Sequence, residues 1–220
     1  MPSHFNQLLE ALRGRVARMT ANVQQVVEMA TEAVFNQDVS VADRAIAADG
    51  RIDSEEVEIE KMAIELLAQH QPFAVDLRFV TSVIKVNSDF ERIADCAVNA
   101  AQRVPVLARR REQRLPDALL LLCNAVTKSL RDTVNAFNLS DVGLADRVRS
   151  SDSAVDAYYA TIVQGVISDL ERKTDDDPNR DLALVMIAKN YERIGDHCTN
   201  IAEDIVYISS GQIVRHLHNA

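Results

Sequence analysis

A duplicated acidic pentad constrains this chain more than any other feature. Glu91-Arg92-Ile93-Ala94-Asp95 returns as Glu192-Arg193-Ile194-Gly195-Asp196 near the end of the 220-residue sequence. The surroundings repeat with it: Phe35-Asn36 matches Phe137-Asn138, Ala42-Asp43-Arg44 matches Ala145-Asp146-Arg147, and Asp49 and Asp53 match Asp152 and Asp156. The second copy is two residues shorter between its acid pairs, which places the length difference in a connection between elements. Self-similarity of this kind means one supersecondary unit used twice.

Periodicity identifies the unit. Leu8, Leu12, Val16, Met19, Val23, Val26 and Ala30 recur at spacings of three and four, so the sequence predicts a first helix over about Phe5–Phe35. Asn36-Gln37-Asp38-Val39-Ser40 supplies turn and capping side chains, and a second helix is expected over about Val41–Gln69. Gln71-Pro72-Phe73 opens a third, which runs to about Val104 before Pro105, because proline is tolerated in a first helical turn. The copy reads the same way: Asp117–Phe137, about Val142–Arg172, and about Asn179–Ser210, with Thr174-Asp175-Asp176-Asp177-Pro178 between the last two. The expected fold is all-α, two tandem antiparallel three-helix bundles of six long helices, with modules at 1–107 and 117–220. Arg109, Arg110, Arg111 and Arg114 lie between Pro105 and Pro116, a composition read as an unpacked connection, with 108–116 as the linker proper.

Composition agrees. Aromatic residues make up 5% of the chain, tryptophan is absent, and Gly (6) and Pro (5) are scarce, which favours helices over many short strands. A net charge of −9 argues against general nucleic-acid binding and points to cations or basic protein surfaces. Cys96, Cys123 and Cys198 show no paired spacing, so a reducing cytoplasm is the expectation, with core packing as the role of Cys96 and Cys198. The start Met1-Pro2-Ser3-His4-Phe5 lacks a basic-then-apolar signal, and no run reaches membrane-spanning length, so the chain is expected to be neither secreted nor membrane-spanning.

The apolar stripe of the third helix, Val83, Val86, Phe90, Ile93, Ala97 and Val104, leaves Glu91, Asp95 and Asn99 on the opposite side. In the sixth helix Leu184, Ile187, Tyr191, Ile194, Cys198, Ile201 and Ile205 leave Glu192, Asp196 and Asn200 outward. With Asp49/Asp53 and Asp152/Asp156 on the neighbouring helices, each module brings four carboxylates within reach of one another. A single pair of acids four apart is an ordinary solvated face, but each like-charge pair costs an isolated helix roughly 0.2–0.5 kcal/mol, and four recurring pairs call for an offsetting cation. Arg92 and Arg193, beside the acids in sequence, are expected to point toward other helices, which leaves a metal ion as the stronger candidate. Carboxylate oxygens suit Mg²⁺, Mn²⁺, Ca²⁺ or iron, and spacing alone does not choose among them. There is no Glu-x-x-His di-iron motif, nucleotide loop or nucleophile motif.

Gln71-Pro72-Phe73-Ala74-Val75-Asp76-Leu77-Arg78 with the first pentad, and Tyr191 to His197 with Asn200-Ile201-Ala202-Glu203, resemble the PhoU family of phosphate-uptake regulators over nearly the whole chain. The resemblance implies two three-helix bundles that bind metal clusters, often iron or zinc, through Asp49, Asp53, Glu91, Asp95, Asp152, Asp156, Glu192 and Asp196. It further implies a cytoplasmic homodimer that acts with the Pst phosphate importer, its ATPase PstB and the sensor kinase PhoR to restrain uptake and starvation genes. The second module departs from the family start, with Asp177-Pro178-Asn179-Arg180-Asp181-Leu182 in place of the Gln-Pro segment. From the residues alone three readings stand: a non-enzymatic regulator, a metal-dependent hydrolase of phosphate compounds, and a metal-free helical adaptor.

Overall fold

The computed structural model of the chain describes residues 4–172 and 177–214. The turn expected at Thr174-Asp175-Asp176 and the first three residues lie outside them. The described residues are helical nearly throughout: α1 (His4–Asn36), α2 (Val39–Ala47), α3 (Asp49–His70), α4 (Ala74–Ala101), α5 (Val104–Ala108), α6 (Asp117–Leu139), α7 (Val142–Ser150), α8 (Asp152–Arg172) and α9 (Pro178–Ser210). These are the six expected long rods, with two of them broken, plus one short extra turn.

The breaks are the main departure from expectation. The second and fifth rods were read as continuous, but each is cut one residue before the first aspartate of its acid pair, Asp49 or Asp152. At Ala48 the amide bonds back three residues to Ala45, and at Ser151 it bonds to Val148, so each rod changes direction by a tight turn. Neither interruption contains proline or a left-handed residue, which is why composition gave no warning of it. The cap at the head of the first broken rod was legible: Asp38 accepts from the amides of Ser40 and Val41, and the equivalent Asp141, not singled out in the sequence, accepts from Leu144.

The stretch between Pro105 and Pro116 is also more structured than its composition suggested. Pro105 sits in the first turn of α5, Val104 and Leu107 are fully buried, and Leu115 is nearly so. Arg180, itself 5% exposed, donates from Nη2 to the carbonyls of Gln113 and Arg114 and clamps this segment to the start of α9.

All the apolar stripe residues named for the third and sixth rods are buried, and they belong to one continuous core. The helices α4 and α9 pack together at its centre, so the two modules share an interior. Phe137 of α6 stacks with Phe79 and meets Phe90 edge-on, both from α4, at centroid distances of 6.3 Å. The buried Tyr191 hydroxyl lies 2.7 Å from Thr31 Oγ1 of α1, and His197 Nδ1 lies 2.8 Å from Asp89 Oδ1. No helix among the described residues is long and apolar enough to cross a membrane.

Candidate functional site

The breaks at Ala48 and Ser151 make Asp49 and Asp152 the first residues of α3 and α8. A carboxylate in a first helical turn faces unsatisfied amides and the positive end of the helix dipole, which favours its charged form. Each rod then runs antiparallel to the module's third helix, which brings its first turns alongside the acids of α4 or α9. Gly195 shows how close that approach is on the second face: a Cβ there would stand 3.2 Å from Val155 Cγ1 of α8. Glycine at this position of the pentad, where the first copy has Ala94, lets α8 and α9 close together.

The structure brings together the two sets of acids that the repeat pointed to. On the first face the Asp49 carboxyl is pushed up from its ordinary value by desolvation and by the charges of Asp53 and Asp95. Glu91 is raised by desolvation and Asp95, with smaller contributions from Asp53 and Glu56 against the lowering effect of Arg92. Glu56, absent from the sequence reading, is raised by desolvation and then by Glu60 and Asp53. On the second face Asp196 is pushed up to about 6, chiefly by desolvation, then by Glu192 and Asp152, with Lys189 opposing and Asp156 adding a little. Asn99 and Asn200 are exposed one turn beyond Asp95 and Asp196.

Two cations of the chain itself sit among these acids. Arg92, expected to point toward other helices, pairs with the acids of its own, its Nε 3.3 Å from Glu91 and its Nη1 3.0 Å from Asp95, while its charge also acts on Glu56 of α3. The overlooked geometry is the three-residue spacing from Arg92 to Asp95, which places the two side chains on one helical surface. Lys189, three residues before Glu192, donates to both of its carboxylate oxygens at 2.7 and 2.6 Å and was missed for the same reason. Thr199 Oγ1 donates to Asp152 at 3.1 Å and ties α9 to the start of α8.

The donors of both faces are carboxylate oxygens, a set suited to hard cations. Asp49 Oδ1 is buried without a hydrogen-bond partner, a desolvated anionic oxygen of the kind an ion satisfies. The donor type suits a hard cation, while among the described residues no three or more His, Cys, Asp or Glu side chains are grouped so as to hold one. The cysteines contribute no thiolate: all three are buried, and burial raises the Cys96 and Cys123 thiols and pushes Cys198 up to about 12.

A family model described as the PhoU domain matches the chain twice, over residues 16–104 and 119–205. The phosphate-specific transport system accessory protein PhoU of Serratia marcescens is 34% identical over 213 residues, covering 97% of this chain and 87% of that one. The PhoU homolog of Aquifex aeolicus described in the same words is 35% identical, covering 96% and 95% of the two chains. The crystal structure of PhoU from Pseudomonas aeruginosa superposes with a TM-score of 0.88 at 31% identity, covering 95% of this chain and all of that one.

Proposed function

The chain belongs to the PhoU family, and on that premise we propose that it is a non-enzymatic regulator of phosphate homeostasis, an accessory protein of a phosphate-specific transport system. In this reading it works in the cytoplasm as a homodimer and restrains phosphate uptake and starvation signalling through the transporter ATPase PstB and the sensor kinase PhoR. The observation that carries the reading is the near-full-length match to transport accessory proteins, in a chain that repeats its paired acidic faces in both halves.

The acidic faces are read as metal sites, Asp49, Asp53, Glu91 and Asp95 on the first and Asp152, Asp156, Glu192 and Asp196 on the second, holding iron or zinc, with Mg²⁺ or Mn²⁺ as alternatives. A bound ion would supply positive charge that relieves repulsion among the carboxylates. The chain's residues set the conditions for it: the first turns of α3 and α8 fix one acid pair, the packed stripes of α4 and α9 fix the other, and Gly195 holds α8 against α9. Arg92 and Lys189 offset part of the charge in the ion's absence, an observation that also favours a metal-free adaptor as the second reading.

The regulatory reading is tested in cells whose own copy of the gene has been deleted. Restoring the wild-type chain should return starvation-gene expression in high phosphate to the repressed level, and tagged protein should retain the transporter ATPase and the kinase. Expression that stays repressed without the gene, together with failure to retain either partner, would contradict it.

A further inference from the structure

The segment that joins the two modules concentrates positive charge in an acidic chain. Arg103, Arg109, Arg110, Arg111 and Arg114 stand against the single acid Glu112, so residues 103–116 carry +4 and, with −9 overall, the rest of the chain carries −13. A charge run on a loose connection is ordinarily a solvated one, but the backbone beneath this run is fixed. Val104, Leu107 and Leu115 are buried, and Arg180 donates to the carbonyls of Gln113 and Arg114 from the head of α9. The arginines are thereby presented together at the end of the molecule where α4 and α5 finish and α6 and α9 begin. Arg109, Arg111 and Arg114 are exposed. Among the described residues Arg110 lies 3.8 Å from Asp177 and Arg114 2.7 Å from Asp117, whereas Arg109 and Arg111 have no ion pair.

The make-up of this tip selects its partner. A protein interface is built around an apolar or aromatic centre with charge at its rim, and between 103 and 115 the one exposed apolar residue is Pro105. A polynucleotide would have to run on past the acidic remainder of the chain, whereas a flat anionic surface can be met end-on. All five cations are arginine, whose planar guanidinium fork matches pairs of phosphate oxygens. We propose that the arginine tip is a docking surface for an anionic phospholipid membrane, contacted through its phosphodiester headgroups. The inference adds a location to the regulatory reading and is independent of the metal reading. Each arginine near such a surface strengthens binding about fivefold, so the tip gives a reversible, salt-sensitive hold, and repulsion of the −13 remainder fixes which end faces the lipid.

The test floats the full chain with vesicles of phosphatidylcholine, alone or mixed with phosphatidylglycerol. Binding should require phosphatidylglycerol and weaken steeply as sodium chloride is raised. Arg109→Gln/Arg111→Gln should bind about thirtyfold more weakly, with thermal unfolding unchanged. Arg18→Gln/Arg147→Gln removes the same charge from two exposed arginines elsewhere and should bind nearly as the wild type does. Orthophosphate should displace the chain no better than sodium chloride at equal ionic strength. Wild-type protein that ignores phosphatidylglycerol overturns the proposal, as does an equal loss in both double variants, which would make net charge the cause. Stronger displacement by orthophosphate would make the tip a site for the free anion and overturns it too. So does tip-dependent binding to duplex DNA or polyglutamate in place of the vesicles.

Discussion

Asp196 shows how one side chain reports on its face. Its carboxyl is pushed up to about 6 by desolvation and by Glu192 and Asp152, against an ordinary value of 3.8. A carboxyl raised on folding binds its proton more tightly in the folded chain, so its contribution to stability is complete below the unfolded value and is lost as pH rises through about 6. Asp49, Glu91 and Glu56 are raised as well and act in the same direction. Metal-free protein should therefore melt at a higher temperature at pH 5 than at pH 7.5, and thermal unfolding followed by circular dichroism checks this. Asp196→Asn should flatten that dependence and stabilise the metal-free chain at pH 7.5 by roughly 0.5–1 kcal/mol, allowing for screening at an exposed carboxyl. Metal loading should follow the opposite course and weaken as pH falls through about 6, because protons and ions compete for the same oxygens. The eight acids were legible from their recurrence, whereas the partners of Arg92 and Lys189 were not: Arg92 was judged from its adjacent position, and the three-residue spacing that joins Arg92 to Asp95 and Lys189 to Glu192 went unread.

At the scale of elements, the repeat and the apolar period were enough to place the six rods, the capping segment around Asp38 and the buried stripes. The breaks at Ala48 and Ser151 escaped because hydrophobic period is insensitive to a tight turn that keeps the phase of the apolar face. Those breaks matter, since they turn mid-helix acids into first-turn acids. The fit between α8 and α9 depends on Gly195, whose missing side chain leaves Val155 in contact. Gly195→Val should cost about 1–3 kcal/mol through overpacking at this crossing, measurable by chemical denaturation, and should lower ion affinity at the second face by separating its two helices. Asp38→Ala removes two cap bonds from α2 and should cost about 1 kcal/mol, with no effect on the second face.

The whole molecule behaves as one packed body built from two similar halves. Phe137 of the second module packs on Phe79 and Phe90 of the first, and Tyr191 bonds to Thr31 across the same boundary. The sharing of a core was not legible from the stripes, because apolar positions on α4 and α9 satisfy a single bundle and an inter-module contact equally well. Phe137→Ala should destabilise by about 3–5 kcal/mol, and spectroscopic probes placed in either half should report one coincident unfolding transition. Duplication within a common core places the two acidic faces on one rigid frame, which suits a scaffold that presents its charge state to a partner. The proposal that these faces hold metal is decided by elemental analysis of the purified chain beside a variant with all eight acids changed to Asn or Gln. Iron, zinc or another divalent ion should be retained by the wild type and lost from the variant, with helical content unchanged in both; a wild type that retains no metal after incubation with each ion, and binds partners as well as the variant does, would overturn the metal proposal.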